Sequence, residues 1–249
     1  MVRCSYKKKI FEIEHIWFSD TLNVSTKADI SYIHGIRTDK TIKKSTIQHS
    51  LITDLKENEE DLYAKIRKNY RYEIRRIDNE DVQIKCFKGK EILNFPEILD
   101  AFEQTYNEMY QSKGMSDKFN RNLVLKYIDI NSIIFTIAYF ENKPLVFHSY
   151  IYDTDKTRFY YSASPFRVEK SLSAVIARMN KALHWYDIKL FKTMGLKEYD
   201  WGGISNPEEP NGIDQFKMAF GGDLISYQNI TKGNTIQGKV ALMLWNLKK

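Results

Sequence analysis

Residues 199–204 read YDWGGI, and residues 211–222 read NGIDQFKMAFGG. The first segment predicts a strand ending in paired glycines, which permit backbone conformations that other residues avoid. A polar, proline-bounded loop follows, and then a short helix over residues 212–219 that a second glycine pair ends. Lys217 lies in this helix beside Phe216. A lysine held near an apolar ring can donate to a developing oxyanion or bind phosphate. The alternative is a solvated lysine between ordinary turns.

The chain before this stretch predicts strands first and then a charged helix. Residues 10–18 alternate between apolar and polar positions, as a half-buried strand does, and residues 29–37 and 45–54 also predict strands. Residues 57–79 predict one helix with acidic residues in its first turn. Its apolar stripe consists of Leu62, Ile66, Tyr70 and Ile74, at i, i+4 spacing.

The remaining segments predict a mixed sheet with helices against it. Further strands are predicted at residues 82–87, 132–140, 145–152, 158–164, 197–201 and 223–230. Further helices are predicted at residues 92–111, 118–128, 170–194 and 236–247, and Gly195 is suited to end the longest of them. This order favours one continuous α/β body over two separate domains.

The glycine-containing stretch also resembles a known family. DWGGI at residues 200–204, followed by GIDQFK at 212–217 and FGG at 220–222, resembles the C-terminal signature of the Fem-type (FemABX) peptidoglycan bridge transferases. FYYSAS at residues 159–164 before a long helix, and a basic helix at residues 62–77, extend the resemblance. It implies a GNAT-like α/β (α+β) fold, a mixed and mostly antiparallel sheet flanked by helices. It also implies transfer of an amino acid from aminoacyl-tRNA to an amine.

The resemblance implies roles for individual residues. In the family, the lysine of the Phe-Lys pair lies at the reaction centre and stabilises charge in the transition state. That role falls on Lys217, with Phe216 beside it at the substrate. Trp201, within the signature, is expected to contact substrate as well, and Asp200 is a candidate to take the proton from the acceptor amine.

The chain departs from the family in length. With 249 residues, it resembles two GNAT-like halves of which the first is abbreviated, at residues 1–128 and 129–249. No coiled-coil arm for tRNA is visible, so the donor stays open among aminoacyl-tRNA, an acyl carrier protein and an acyl-CoA thioester, used as a co-substrate without a tightly bound cofactor. The shorter relatives imply an amino-sugar acceptor, such as a nucleotide-sugar or lipid-linked glycan precursor, rather than a peptide stem.

The start of the long helix argues against acetyl-CoA. GNAT enzymes place glycines before a helix so that backbone amides surround the pyrophosphate. Residues 162–169 read SASPFRVE and contain no glycine. Arg167 could instead meet a phosphate at this helix end.

Two polar groups lie within predicted core elements. His148 is in the middle of a strand, where it is either a general base near neutral pH or a buried histidine held by its neighbours. Asn180, His184 and Asp187 share one face of the long helix. That face either bounds a substrate pocket or faces water.

The predicted helix at residues 57–79 is rich in both basic and aromatic side chains. Arg71 and Arg75 are candidate contacts for a diphosphate or for tRNA, because basic residues interleaved with aromatic rings are typical of polyanion binding. Glu60, Asp61 and Glu73 offset this charge in part, and the alternative is a solvated face.

Composition limits the remaining function classes. The net charge of +6 is compatible with nucleic acid, nucleotide-sugars or anionic lipid head groups as partners. The five histidines and two isolated cysteines show no metal-ligand spacing, so no metal is expected. No apolar run is long enough to cross a bilayer, so we expect a cytoplasmic protein without integral insertion, although peripheral membrane contact is open.

The rivals to aminoacyl transfer are CoA-dependent acetylation of a nucleotide-linked amino-sugar and a non-catalytic RNA- or nucleotide-binding module.

Overall fold

The computed structural model describes residues 1–21, 24–38 and 41–246. Its strands are β1 (Val2–Lys8), β2 (Phe11–Trp17), β3 (Ile30–Ile36), β4 (Ser45–Asp54), β5 (Val82–Lys88), β6 (Ile133–Phe140), β7 (Lys143–Tyr152), β8 (Lys156–Ala163), β9 (Glu198–Ile204) and β10 (Asp223–Gly233). Its α-helices are α1 (Glu59–Lys65), α2 (Lys68–Arg76), α3 (Pro96–Gln111), α4 (Arg121–Asp129), α5 (Ser173–Thr193), α6 (Gly212–Met218) and α7 (Ile236–Asn246). The predicted strands and most predicted helices are therefore confirmed.

The chain divides into two compact units. Unit 1 comprises residues 1–50, 203–210 and 224–249, and unit 2 comprises residues 51–202 and 211–223. Residue 128, where the sequence suggested a boundary, lies inside α4 of unit 2. The two-half organisation at residues 1–128 and 129–249 stays a prediction.

Unit 1 contains strands in the order β1-β2-β3-β10, continued by the first part of β4. The pairs β1–β2 and β3–β10 are antiparallel, and β2–β3 is parallel. Helix α7 covers one face, where Ala241 packs with Ile13 and Ile30. The strand β1 was missed by the sequence analysis because its lysines obscured the inward alternation of Val2, Cys4 and Tyr6.

Unit 2 contains strands in the order β4-β9-β8-β7-β6-β5, to which β4 contributes its last residues. The pairs β5–β6, β6–β7 and β7–β8 are antiparallel, whereas β8–β9 is parallel. Helix α5 packs Ile176, Met179 and Leu183 against Ala138 and Val146 of the sheet. Both units are thus mixed, mostly antiparallel sheets with helices against them, as the sequence predicted.

The charged segment at residues 57–79 is not one helix, which corrects the prediction. It breaks at Ile66, whose backbone is extended, and Arg67 N donates to Ala219 O at 2.8 Å. A Cβ on Gly221 would lie only 2.8 Å from that of Lys65. The break therefore lets the segment after α6 pack closely against the α1–α2 connection, a tertiary contact that the helical periodicity could not show.

No helix in the described part of the chain combines the length and the apolar character needed to cross a membrane.

Candidate active site

The site is in unit 2, where the parallel strands β8 and β9 stop pairing. Their register covers only three pairs and ends at Arg158 opposite Asp200, although both strands continue beyond. At this end Arg158 Nη1 donates to Asp200 Oδ2 at 2.6 Å, and both residues are buried. Asp200 Oδ1 accepts from Gly202 N at 2.8 Å. Both Asp200 oxygens are therefore bonded at the point where the strand turns away.

Gly202 lies between the backbone of β8 and the Lys217 side chain. Its φ is +77°, a conformation that favours glycine. An added Cβ would lie 3.3 Å from Phe159 O and 3.9 Å from Lys217 Nζ. The glycine thus keeps a small space between the β8 backbone and the lysine ammonium.

Lys217 is held in this space by α6. Asn211 begins the helix by accepting from Ile213 N and Asp214 N. Burial, reinforced by the nearby Arg158 cation, lowers the Lys217 pKa from 10.5 to about 8, while the carboxylates of Asp214 and Asp200 oppose the shift. Lys217 is therefore a partly desolvated cation at neutral pH. The predicted alternative of a fully solvated surface lysine does not fit this position.

Aromatic rings form the wall beside Lys217. Phe216 lies 5.5 Å from Phe220 and 5.5 Å from His184, measured between ring centroids. Trp201 is fully buried behind them and donates its Nε1 to Thr53 Oγ1 at 2.9 Å. This placement makes Trp201 a support for His184, whose ring is 4.7 Å away. The predicted contacts of Phe216 and Trp201 with substrate stay predictions.

A second polar group, the His148 network, lies beneath this wall. His148 is fully buried; its Nδ1 lies 2.8 Å from Asp187 Oδ2, and its Nε2 lies 2.9 Å from Asn180 Oδ1. The Tyr150 hydroxyl donates to the same Asp187 oxygen at 2.5 Å. The predicted polar face of the long helix therefore binds the strand β7, and Asn180 is its half-buried outer member.

The network continues to His184 through a second tyrosine. Tyr199 OH lies 2.9 Å from Tyr150 OH and 3.0 Å from His184 Nδ1. Burial, together with the neighbouring His148 and Lys217, lowers the His184 pKa well below 6.5, so this imidazole is neutral. Burial and the Asp187 charge raise the pKa of Tyr150, which keeps its proton. Tyr150, Tyr199 and Arg158 had no role predicted from the sequence.

The sequence signal for the two tyrosines, Tyr150 and Tyr199, was present but weak. Tyr150 is two residues from His148, and Tyr199 is two residues from Trp201, so each pair faces the same side of its strand. Nothing in the sequence, however, shows that these two strand faces meet the polar face of α5.

The same fold creates a group that could hold a metal ion. One ligand atom from each of His148, His184 and Asp187 lies within 4.8 Å of the others. Hydrogen bonds engage Asp187 Oδ2, whereas its buried Oδ1 has no hydrogen-bond partner. The sequence spacing showed only part of this group, because His184 and Asp187 share one face of α5 whereas His148 comes from the strand β7. The expectation that no metal binds stays a prediction.

The predicted phosphate-binding arginines also lie in unit 2. Arg167 is exposed, and its charge contributes to lowering the Lys113 pKa, after the larger effect of burial. Arg75 is exposed on α2, whereas Arg71 is half-buried with a buried Nε that has no hydrogen-bond partner. Their roles in binding stay predictions.

Comparison with known proteins identifies the fold and leaves the family open. No protein-family profile and no curated protein sequence matches the chain. Among solved structures, FemX superposes with a TM-score of 0.63 at 12% identity, covering 91% of this chain and 83% of that one. L-PGS from Bacillus licheniformis gives 0.54 at 12% identity, covering 88% and 72%. A DUF2156 domain from Agrobacterium fabrum gives 0.56 at 11% identity, covering 86% and 70%. The expected GNAT-like fold, a mixed and mostly antiparallel sheet flanked by helices, is therefore confirmed, while at these identities the likeness shows the fold alone.

Proposed function

We propose that the protein transfers an acyl or aminoacyl group from an activated donor to a primary amine. The observation that carries this proposal is Lys217, a desolvated ammonium beside Gly202 at the end of the β8–β9 ladder. The lysine that the family resemblance places at the reaction centre occupies a position whose electrostatics suit that work. A preorganised cation in a site of low dielectric stabilises an oxyanion far better than one in water.

The reaction conserves atoms in two steps. The acceptor amine attacks the carbonyl carbon of the donor ester or thioester, a C–N bond forms, and the carbonyl electron pair moves onto oxygen. Lys217 stabilises that oxyanion with its ammonium. Collapse restores the carbonyl and breaks the bond to the donor oxygen or sulfur, which leaves with a proton. The amine loses one proton overall.

The contacts of the candidate bases argue against either of them as the first acceptor of that proton. Asp200 has a bond to each carboxylate oxygen, from Arg158 and from Gly202 N. His148 is fully buried, with partners at both ring nitrogens. We therefore assign the first proton transfer to water, Asp200 to holding Arg158, and His148 to holding Asn180 in place.

The start of α5 favours a donor other than acetyl-CoA. Val168 N and Glu169 N both donate to Pro165 O, at 2.9 Å and 2.8 Å, and Leu172 N donates to Glu169 O. Amides that already close these turns are not aimed at a pyrophosphate. We assign the donor to aminoacyl-tRNA or an acyl carrier protein, and the acceptor to the amine of an amino-sugar in a cell-wall or glycan precursor.

Product analysis by mass spectrometry tests this function. Wild-type protein is incubated with each donor class and a panel of UDP-linked amino-sugars, with Lys217→Met as the matched variant. We expect an amide product with wild type and at least a hundredfold less with the variant, the scale of losing one oxyanion donor. Binding of donor or RNA by wild type without any product would overturn the transferase proposal and support a binding module.

A further inference from the structure

The outer face of α7 in unit 1 is apolar and exposed. Ile236, Val240, Met243 and Leu244 are 81%, 52%, 65% and 54% exposed. At about 100° per residue they share one arc of the helix, and no charged residue falls within it. The opposite arc, with Ala241, packs on the sheet. An amphipathic helix normally buries its apolar side only, whereas α7 is apolar on both sides.

The turn between β1 and β2 adds to this surface. It presents Lys9 and the 78%-exposed Ile10. Lys8 lies 5.9 Å from the ring centroid of Trp245 in the last turn of α7. Trp245 in turn packs edge-on to Phe11 of the same hairpin. The lysine-bearing turn therefore lies at the C-terminal end of α7, where it contacts Trp245 on the side of the helix that packs on the sheet.

The charge of the molecule is concentrated in the same unit. Residues 1–50, 203–210 and 224–249 contain 13 basic and 7 acidic residues, a net +6, whereas unit 2 contains 25 of each and is neutral. Residues 224–249 contain four lysines and no acidic residue. The formal net charge of the whole chain thus lies in the unit that exposes the apolar helix.

Two acidic residues, Glu12 and Asp29, lie near this surface. Glu12 pairs with Lys7 across the β1–β2 ladder, one position away from the Lys8–Phe11 pair and thus on the other face of the hairpin. Asp29 accepts from Thr235 Oγ1 at 2.6 Å and from Glu12 N at 3.0 Å, at the start of α7. Neither one neutralises the lysines of the turn.

We propose that α7 and the β1–β2 turn form a surface that docks on an anionic lipid bilayer. Aliphatic side chains enter the boundary between head groups and acyl chains, and lysines beside them attract anionic lipids. A nucleic acid would use the charge and leave the apolar arc in water. A protein partner would favour the aromatic and arginine anchors typical of interface centres, which this arc lacks.

Co-sedimentation of the full chain with vesicles tests the proposal. The vesicles are phosphatidylcholine with or without phosphatidylglycerol, at low and high salt. We expect binding only to the vesicles that contain phosphatidylglycerol, weakened by salt. The variant Val240→Gln/Met243→Gln/Leu244→Gln should bind at least about tenfold less. Lys8→Gln/Lys9→Gln should lose on the order of fivefold for each lysine removed.

Matched controls separate docking from general damage. Leu93→Gln/Met115→Gln/Ile130→Gln removes three exposed apolar side chains of unit 2, and Lys90→Gln/Lys143→Gln removes two exposed lysines there. Both controls should bind vesicles as wild type does, and the α7 variant should keep wild-type transfer to a soluble acceptor. The proposal is overturned if wild type ignores anionic vesicles or if the α7 variant binds them equally. It is also overturned if light scattering shows that the α7 arc joins two copies of the chain and is thereby removed from lipid.

Discussion

Replacing Lys217 with Met should stabilise the fold and impair the reaction at the same time. The shift of the Lys217 pKa from 10.5 to about 8 corresponds to about 3 kcal/mol, at roughly 1.4 kcal/mol per unit. This is the cost of keeping the ammonium in the folded protein at neutral pH, and methionine of similar length does not incur it. We therefore expect Lys217→Met to raise the free energy of unfolding at pH 7 by up to about 3 kcal/mol, while turnover falls about 10²-fold or more.

The lowered pKa of Lys217 also predicts how the stability of the fold changes with pH. Between pH 8 and pH 10.5 the unfolded chain binds more protons at this lysine than the folded chain does, so stability rises with pH across that window. Urea unfolding at pH 7 and pH 10 should show a difference between wild type and variant that shrinks at the higher pH. Turnover of wild type should fall as the pH rises through about 8, because the ammonium is the active form. An exposed lysine of β7 gives the control, Lys143→Met.

Three results would refute this reasoning. Equal stability of wild type and Lys217→Met at pH 7, with parallel pH profiles, would mean that the ammonium is not desolvated. Turnover that increases through pH 8 would make Lys217 a base, and unchanged turnover in the variant would remove it from the mechanism.

Acetyl-CoA should bind with a dissociation constant of about a millimolar or weaker, because the amides before α5 close turns on Pro165 and Glu169; micromolar binding in calorimetry would move the protein to the CoA-dependent group. Replacing Arg71, Arg75 and Arg76 with Gln should weaken binding of a phosphate-bearing substrate and flatten its salt dependence, and an unchanged salt slope would identify a solvated face. Tyr199→Phe removes the hydroxyl between Tyr150 and His184 and should cost about 1–2 kcal/mol in thermal unfolding, whereas an unchanged melting temperature would show that the link is not formed. Elemental analysis should find no stoichiometric metal, and a chelator should leave the melting temperature unchanged; a bound ion would assign His148, His184 and Asp187 as its ligands.

The strands and the long helix were accessible from the sequence because their signals are local. Residues 45–54 were predicted as a strand and form β4 with the same bounds. Gly195 ends α5 with a φ of +82°, as a glycine after a helix does. The break at Ile66 was not accessible, because the contact that accompanies it, from Arg67 N to Ala219 O, is tertiary and the helical periodicity continues through it.

The sequence by itself determined the periodicities and the glycine-containing stretch, whose family resemblance made Lys217 the leading candidate. These depend on backbone preferences and on residue types within a few positions of one another. Only the tertiary structure decided that Lys217 is desolvated beside Arg158, because its neighbours come from strands about sixty and fifteen residues away. It likewise decided that His148 is locked between Asp187 and Asn180, and that the charge and the exposed apolar helix lie in one unit. Burial and proximity are properties of packed side chains, and a pattern along one chain does not contain them.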